Sequence, residues 1–171
     1  MIAWASSQSW YREPFVLAGH SLGGACNLMF AYKYPEKIKA LAPTSAFLAG
    51  SITLKAYGKE VMAKWEKDGY RVEESKSRPG LIKKFNWTLA EDLNTYNLLP
   101  SAHLITAPIL LVVGKKDILT PLASQQELYN QVSSTKKELH IIKGSEHTFM
   151  AKEHLVEVKK IFTEWIQNIL S

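Results

Sequence analysis

The stretch VLAGHSLGG, residues 16–24, sets a single serine, Ser21, among glycines where a short apolar run gives way to a helical pattern. Residues 15–18 read as a short, buried strand. After the serine, Leu22, Cys26, Met29 and Phe30 recur at i, i+4, i+7 and i+8, one face of a helix that Pro35 stops. Gly19-His20-Ser21-Leu22-Gly23 fits the pattern G-x-S-x-G. In a chain this long that pattern arises by chance roughly one time in twenty at ordinary glycine frequency, so its flanks carry the weight. A serine on a sharp strand-to-helix turn needs an unusual backbone. Gly19 and Gly23 are expected to remove side chains that would collide across the turn. Gly24 and Ala25 are expected to let the helix approach the sheet.

Working outward, residues 38–42, 108–113 (PILLVV) and 138–142 (ELHII) read as three more strands. Thr120 is predicted to cap a helix with Pro121 at its first position and its end near Val132. Leu155, Val158, Ile161, Phe162, Trp165 and Ile169 repeat at helical spacing. Residues 2–10 read as the end of an amphipathic helix, with a turn at Pro14. Strands alternating with helices predict a mostly parallel sheet flanked by helices, an α/β class.

Residues 51–104 interrupt this rhythm and are too long for an ordinary connection. Residues 54–67 read as one helix. YRVEES and LIKKFNW flank KSRPG as a hairpin, and residues 89–105 hold a further helical segment broken near Pro100. The predicted organisation is a core of residues 1–50 and 105–171 with an inserted cap at 51–104. Trp65, Tyr70, Phe85, Trp87 and Tyr96 make the cap aromatic, either as its own small core or as the lining of an apolar pocket.

The chain has 171 residues, 46% of them hydrophobic, and a formal net charge of +5. Its lysines are scattered and interleaved with acids, which argues against a nucleic-acid partner. No apolar run reaches the ~20 residues of a membrane span, and the first ten residues do not form a secretory signal. Cys26 is the only cysteine, so no intrachain disulfide can form. Together these features give a cytoplasmic expectation.

A serine attacks only when a base takes its proton and an acid orients that base. Of five histidines, His20 lies in the turn, His140 within a strand, and His103 and His154 in polar helical stretches. His147 follows a strand by a short loop containing Gly144. Among the acids, Asp68 and Asp92 fall in the insertion, whereas Asp117 follows PILLVVGKK. Ser21, Asp117 and His147 therefore each lie just beyond the C-terminal end of a different strand, where parallel sheets place their chemistry. Glu146 is the next acid to consider. The Leu22 backbone N–H is the expected oxyanion donor.

The segments GHSLGG, VGKKDILTP and GSEHTF, in that order, resemble the α/β-hydrolase family, whose triad runs Ser, Asp or Glu, His. The hairpin-bearing insertion looks like that of small esterases, dienelactone hydrolase relatives and peptidase-like members. The resemblance implies a serine hydrolase with Ser21, Asp117 and His147 as catalytic residues, a small-molecule ester or acyl substrate, and neither cofactor nor metal. It leaves two alternatives open, an inactive or partner-dependent fragment and a peptidase of the same fold. The family's serine follows a fifth strand, so the resemblance also implies that the first four strands are missing. The expected consequences are an edge strand at FVLA, self-association or complementation through that edge, and an oxyanion hole short of one donor.

Overall fold

The computed structural model of the chain describes residues 2–75 and 78–170. After a four-residue helix, α1 (Ile2–Ala5), the chain enters β1 (Phe15–His20), α2 (Leu22–Lys33), a 3-10 turn at Pro35–Lys37 and β2 (Ile38–Thr44). There follow α3 (Gly50–Lys55), α4 (Lys59–Asp68), the hairpin strands β3 (Tyr70–Glu74) and β4 (Ile82–Asn86), α5 (Trp87–Asn94) and a 3-10 segment at Leu99–Leu104. The chain ends with β5 (Ile109–Gly114), α6 (Leu122–Gln131), β6 (Lys137–Ile142) and α7 (Lys152–Leu170).

Four strands form one sheet in the order β1-β2-β5-β6, every pair parallel. The register sets His20 opposite Thr44, Thr44 opposite Val112, and Gly114 opposite Ile142. The strands thus finish within two residues of one another, and the loops that follow β1, β5 and β6 open on the same edge. All six residues of β5 are buried, as expected of a parallel strand covered on both faces. On one face Leu41, Ile109 and Leu111 pack with Ala25 and Leu28 of α2 and Leu128 of α6. On the other, Ala42, Leu110, Val112 and Ile142 meet Trp165 and Phe162 of α7. Full burial of each such leucine or isoleucine contributes about 1.5–3 kcal/mol, which fixes the sheet and hence the loop edge.

The strand at residues 15–18 is not buried as its composition suggests. β1 runs to His20 at the sheet's edge, and its residues alternate between half-buried and exposed. Only one of its faces meets α2, so Val16 on the other stays 39% exposed. The predicted helix over residues 2–10 is only the short α1. Trp4 within it and Trp10 beyond it pack with ring centroids 6.1 Å apart. The predicted helix over 54–67 is broken between α3 and α4, where Gly58 takes φ +78°. Helix α6 starts at Leu122 after Pro121, and Thr120 does not cap it.

The predicted hairpin is present as five antiparallel pairs from Tyr70–Asn86 to Glu74–Ile82. Lys76 and Ser77 of its turn lie outside the described residues. Beneath it Trp65 is 1% exposed, meets the rings of Tyr57 and Trp87 edge-on, and donates its indole N–H to Phe85 O at 3.0 Å. Trp65, Phe85 and Trp87 thus pack inward as a small core, while Tyr70 and Tyr96 remain exposed. Among the described residues no helix is long and apolar enough to cross a membrane.

Candidate active site

Ser21 stands between β1 and α2 with φ 56° and ψ −117°. A non-glycine residue at positive φ costs about 1–3 kcal/mol and persists only where its surroundings over-determine it. Here its N–H donates to Thr44 O at 3.0 Å, and its carbonyl accepts from Phe47 N at 3.0 Å and Ala25 N at 3.1 Å. A Cβ on Gly19 would lie 2.4 Å from Gly23 O, and one on Gly24 would lie 2.9 Å from the Ala46 Cβ. Those two positions require glycine for close approach. Gly23 does not: a Cβ there would meet nothing within 4 Å. What crowds Gly19 is the Gly23 backbone carbonyl. With its amide assigned by hydrogen bonding, Asn27 accepts from Gly19 N–H at 2.9 Å and donates to Gly23 O at 3.3 Å. The Leu22 N–H opens α2, where an N–H has no intrahelical acceptor.

Asp117 follows β5, and its side chain is fully buried. Its Oδ1 accepts from Leu119 N at 3.0 Å and Thr120 N at 2.9 Å. Its Oδ2 accepts from Thr120 Oγ1 at 2.7 Å and lies 2.9 Å from His147 Nδ1. The Thr120 hydroxyl is also 3.1 Å from Ser45 O. Its single proton goes to the shorter, charged acceptor. This hydroxyl is the role that a helix-cap reading of Thr120 misses. Burial works to raise the Asp117 pKa, but hydrogen bonds from His147 and from the Thr120 N–H and hydroxyl outweigh it. The carboxyl therefore sits below its ordinary value.

His147 reaches the site because its loop rests on the end of β5. A Cβ on Gly114 would lie 2.5 Å from the carbonyl oxygens of both Ser145 and Glu146. Lys116 N donates to Ser145 O at 2.8 Å, and Gly144 turns the chain at φ +79°. His20 Nε2–H donates to His147 O at 2.7 Å, and the two rings lie 4.7 Å apart. Desolvation of the His20 ring lowers its pKa, against the hydrogen bond to the His147 carbonyl, which favours the charged form.

The structure thus brings the three sequence-predicted side chains into one hydrogen-bonded line. His147 Nε2 is 3.0 Å from Ser21 Oγ, and His147 Nδ1 is 2.9 Å from Asp117. With the ring proton on Nδ1 toward the carboxylate, Nε2 is left to accept from the hydroxyl. Such a line can carry a proton from Ser21 Oγ to an imidazole whose positive charge is stabilised by a buried carboxylate. The other candidates lie elsewhere. Asp68 pairs with Lys64 at 2.7 Å, His140 with Glu138 at 2.8 Å on the surface of β6, and His103 Nδ1 lies 2.9 Å from Pro100 O. Among the described residues no group of three His, Cys, Asp or Glu side chains is placed to hold a metal ion.

A space of about 150 Å³ opens on Ser21, lined also by His147, Leu119, Tyr57, Trp65, Arg71, Glu73 and Phe85. A larger recess of about 780 Å³ adjoins it, sharing Tyr57, Glu73, Leu119 and His147 and adding His20, Phe149 and Phe162 to its walls. Only the smaller of these two is lined by Ser21.

A family model described as "Serine aminopeptidase, S33" matches residues 66–154, a span that includes Asp117 and His147 and starts after Ser21. The bovine (Bos taurus) palmitoyl-protein thioesterase ABHD10, mitochondrial, is 25% identical over 140 residues, covering 81% of this chain and 46% of the relative. The chain therefore spans about half the length of the curated relatives it matches. Among solved structures, the mouse alpha/beta hydrolase domain-containing protein 10 aligns with a TM-score of 0.71 at 20% identity, over 99% of this chain and 68% of that one. A monoacylglycerol lipase from Paleococcus ferrophilus aligns with a TM-score of 0.71 at 23% identity, over 92% and 69%. Both likenesses concern the fold.

Proposed function

The chain belongs to the serine aminopeptidase, S33 family of α/β hydrolases, and from that premise we propose that it is a serine hydrolase cleaving carboxylic esters or thioesters through an acyl-enzyme. The observation that carries this reading is the unbroken line Ser21–His147–Asp117, at 3.0 and 2.9 Å. Ser21 Oγ attacks the acyl carbonyl as His147 Nε2 takes its proton. Asp117 holds the ring and stabilises the imidazolium. The Leu22 N–H, at the positive end of α2, faces the developing oxyanion. His147 then protonates the leaving alcohol or thiol, and water releases the acyl group by the same steps. In this reading residues 51–104 form a cap over a core of 1–50 and 105–171, closing the pocket above Ser21.

The name of the bovine relative, a palmitoyl-protein thioesterase, supports an acyl–sulfur or acyl–oxygen bond. The family description, serine aminopeptidase, favours a second reading in which the same residues cleave an aminoacyl amide. A third reading, turnover that depends on another polypeptide, draws on the open edge of β1. The test is a panel of p-nitrophenyl butyrate, butyrylthiocholine and aminoacyl p-nitroanilides, run on the wild type and on Ser21→Ala, His147→Ala and the double variant. Ester and thioester turnover should exceed amide turnover by at least about 100-fold. Each single variant should abolish it, and the double variant should cost little more, because triad members act as a unit. Preferential amide cleavage would establish the peptidase, and additive losses would break the assignment.

A further inference from the structure

Two charged groups that the proposed chemistry does not use, Arg71 and Glu73, line the pocket over Ser21. Arg71, on β3, projects under the hairpin with its side chain 16% exposed. Its guanidinium carbon lies 4.5 Å from the Tyr57 ring centroid and 4.6 Å from those of Trp65 and Phe85. One terminal nitrogen donates to Glu73 at 2.7 Å and the other to the Tyr57 hydroxyl at 3.1 Å. The Nε–H is buried and has no acceptor among the described residues. A buried charge left with an unsatisfied donor is costly, and three aromatic rings cannot accept that N–H in its plane as an oxygen would.

We propose that Arg71 is the recognition group for a negatively charged substituent on the acyl group, a carboxylate at the far end of a short chain whose carbonyl is presented to Ser21. A carboxylate meets the side of a guanidinium through Nε–H and a terminal N–H together, two parallel charge-assisted bonds. That satisfies the orphaned donor. The terminal nitrogen on that side, Nη2, now donates to the Tyr57 hydroxyl, while Glu73 pairs with the other, Nη1, and its own side chain is 42% exposed. Glu73 can turn to water when an anion arrives, whereas Arg71 is held by its three rings. The space of about 150 Å³ lies below the roughly 300–1,000 Å³ of drug-sized ligand pockets, which favours a short acyl chain over a long alkyl chain. This assignment rests on the reading of Ser21 as the nucleophile only for the direction in which the substrate lies.

The test uses equilibrium binding to the full chain carrying Ser21→Ala, so that no turnover is required. Monomethyl adipate and its neutral counterpart dimethyl adipate are titrated by calorimetry, with intrinsic tryptophan fluorescence, to which Trp65 contributes, as a second readout. The charged ester should bind at least tenfold more tightly. Arg71→Met should erase that preference, Arg71→Lys should keep part of it, and Glu73→Gln should tighten the charged ester about three- to tenfold by removing the competing carboxylate. Equal binding of the two esters would overturn the proposal. So would weaker binding of the charged ester by Glu73→Gln, which would make the Arg71–Glu73 pair a purely structural clamp. Because Glu73 is exposed, that variant remains informative if Arg71→Met does not fold. Fluorophosphonate labelling of wild-type Ser21 is read separately. Charge-selective binding without labelling would retain the anion site and sink the nucleophile.

Discussion

Replacing Gly114 by alanine probes how the fold positions His147. The new methyl group would lie 2.5 Å from the carbonyl oxygens of Ser145 and Glu146. Both are backbone atoms, so no side chain can swing aside. Restoring ordinary contact near 3.4 Å moves the loop by about 0.9 Å. His147 follows Glu146 directly, and its Nε2 begins 3.0 Å from Ser21 Oγ. A displacement of that size takes the pair beyond hydrogen-bond reach. Misplacement by about 1 Å costs on the order of 10² in rate, or about 2.7 kcal/mol of barrier. The assay is the second-order rate of fluorophosphonate labelling of Ser21, with a thermal melt alongside. Gly23→Ala is the control, since its methyl group meets nothing within 4 Å. It should label within threefold of wild type and be slightly more stable, because alanine favours a helix over glycine. A Gly114→Ala variant that melts normally and labels within threefold of wild type would refute the argument that this contact seats the His147 loop.

Two further outcomes follow from the same geometry. Because the Asp117 pKa is depressed in the folded state, its contribution to stability is present above its unfolded value near 4 and is lost as pH falls through the lower folded value. In urea titrations Asp117→Asn should be less stable than wild type at neutral pH, with the gap narrowing below about pH 4; a gap that widens on acidification contradicts the assigned hydrogen bonds. At the open edge of β1, Val16 leaves apolar surface beside unpaired backbone groups, so the chain should associate with concentration in sedimentation and Val16→Lys should reduce it. A concentration-independent monomer would contradict this.

Much of the fold is legible in the sequence because its core elements carry strong periodic signals. β5 is a continuous apolar run, and it is buried on both faces. The apolar stripe of α7 faces the sheet from Val158 to Ile169, as its spacing requires, while Leu155 stays exposed. Ser21, Asp117 and His147 are legible as candidates because each sits just past a strand end, and parallel register carries those ends to one edge. Where the reading fails, the deciding contact is not local. β1 has the composition of a buried strand, but its exposure depends on its place at the edge of the sheet. Gly58 breaks a periodic pattern that continues on both sides of it. Thr120 carries a cap signal, yet its hydroxyl serves a carboxylate three residues earlier. Gly23 fits a motif position but relieves no clash, while Gly114 fits no motif and relieves a severe one. Arg71 reads as one basic residue of a hairpin until Tyr57, Trp65 and Phe85 are seen around it.

The central claim is that the Ser21 hydroxyl is activated by His147 in the folded chain. The most direct measurement is intact mass followed by peptide mapping after exposure to a fluorophosphonate. The account expects a single adduct, on Ser21, that forms in the wild type and fails to form in His147→Ala and in urea-unfolded protein. No adduct, or one on another serine such as Ser45 or Ser145, would contradict it.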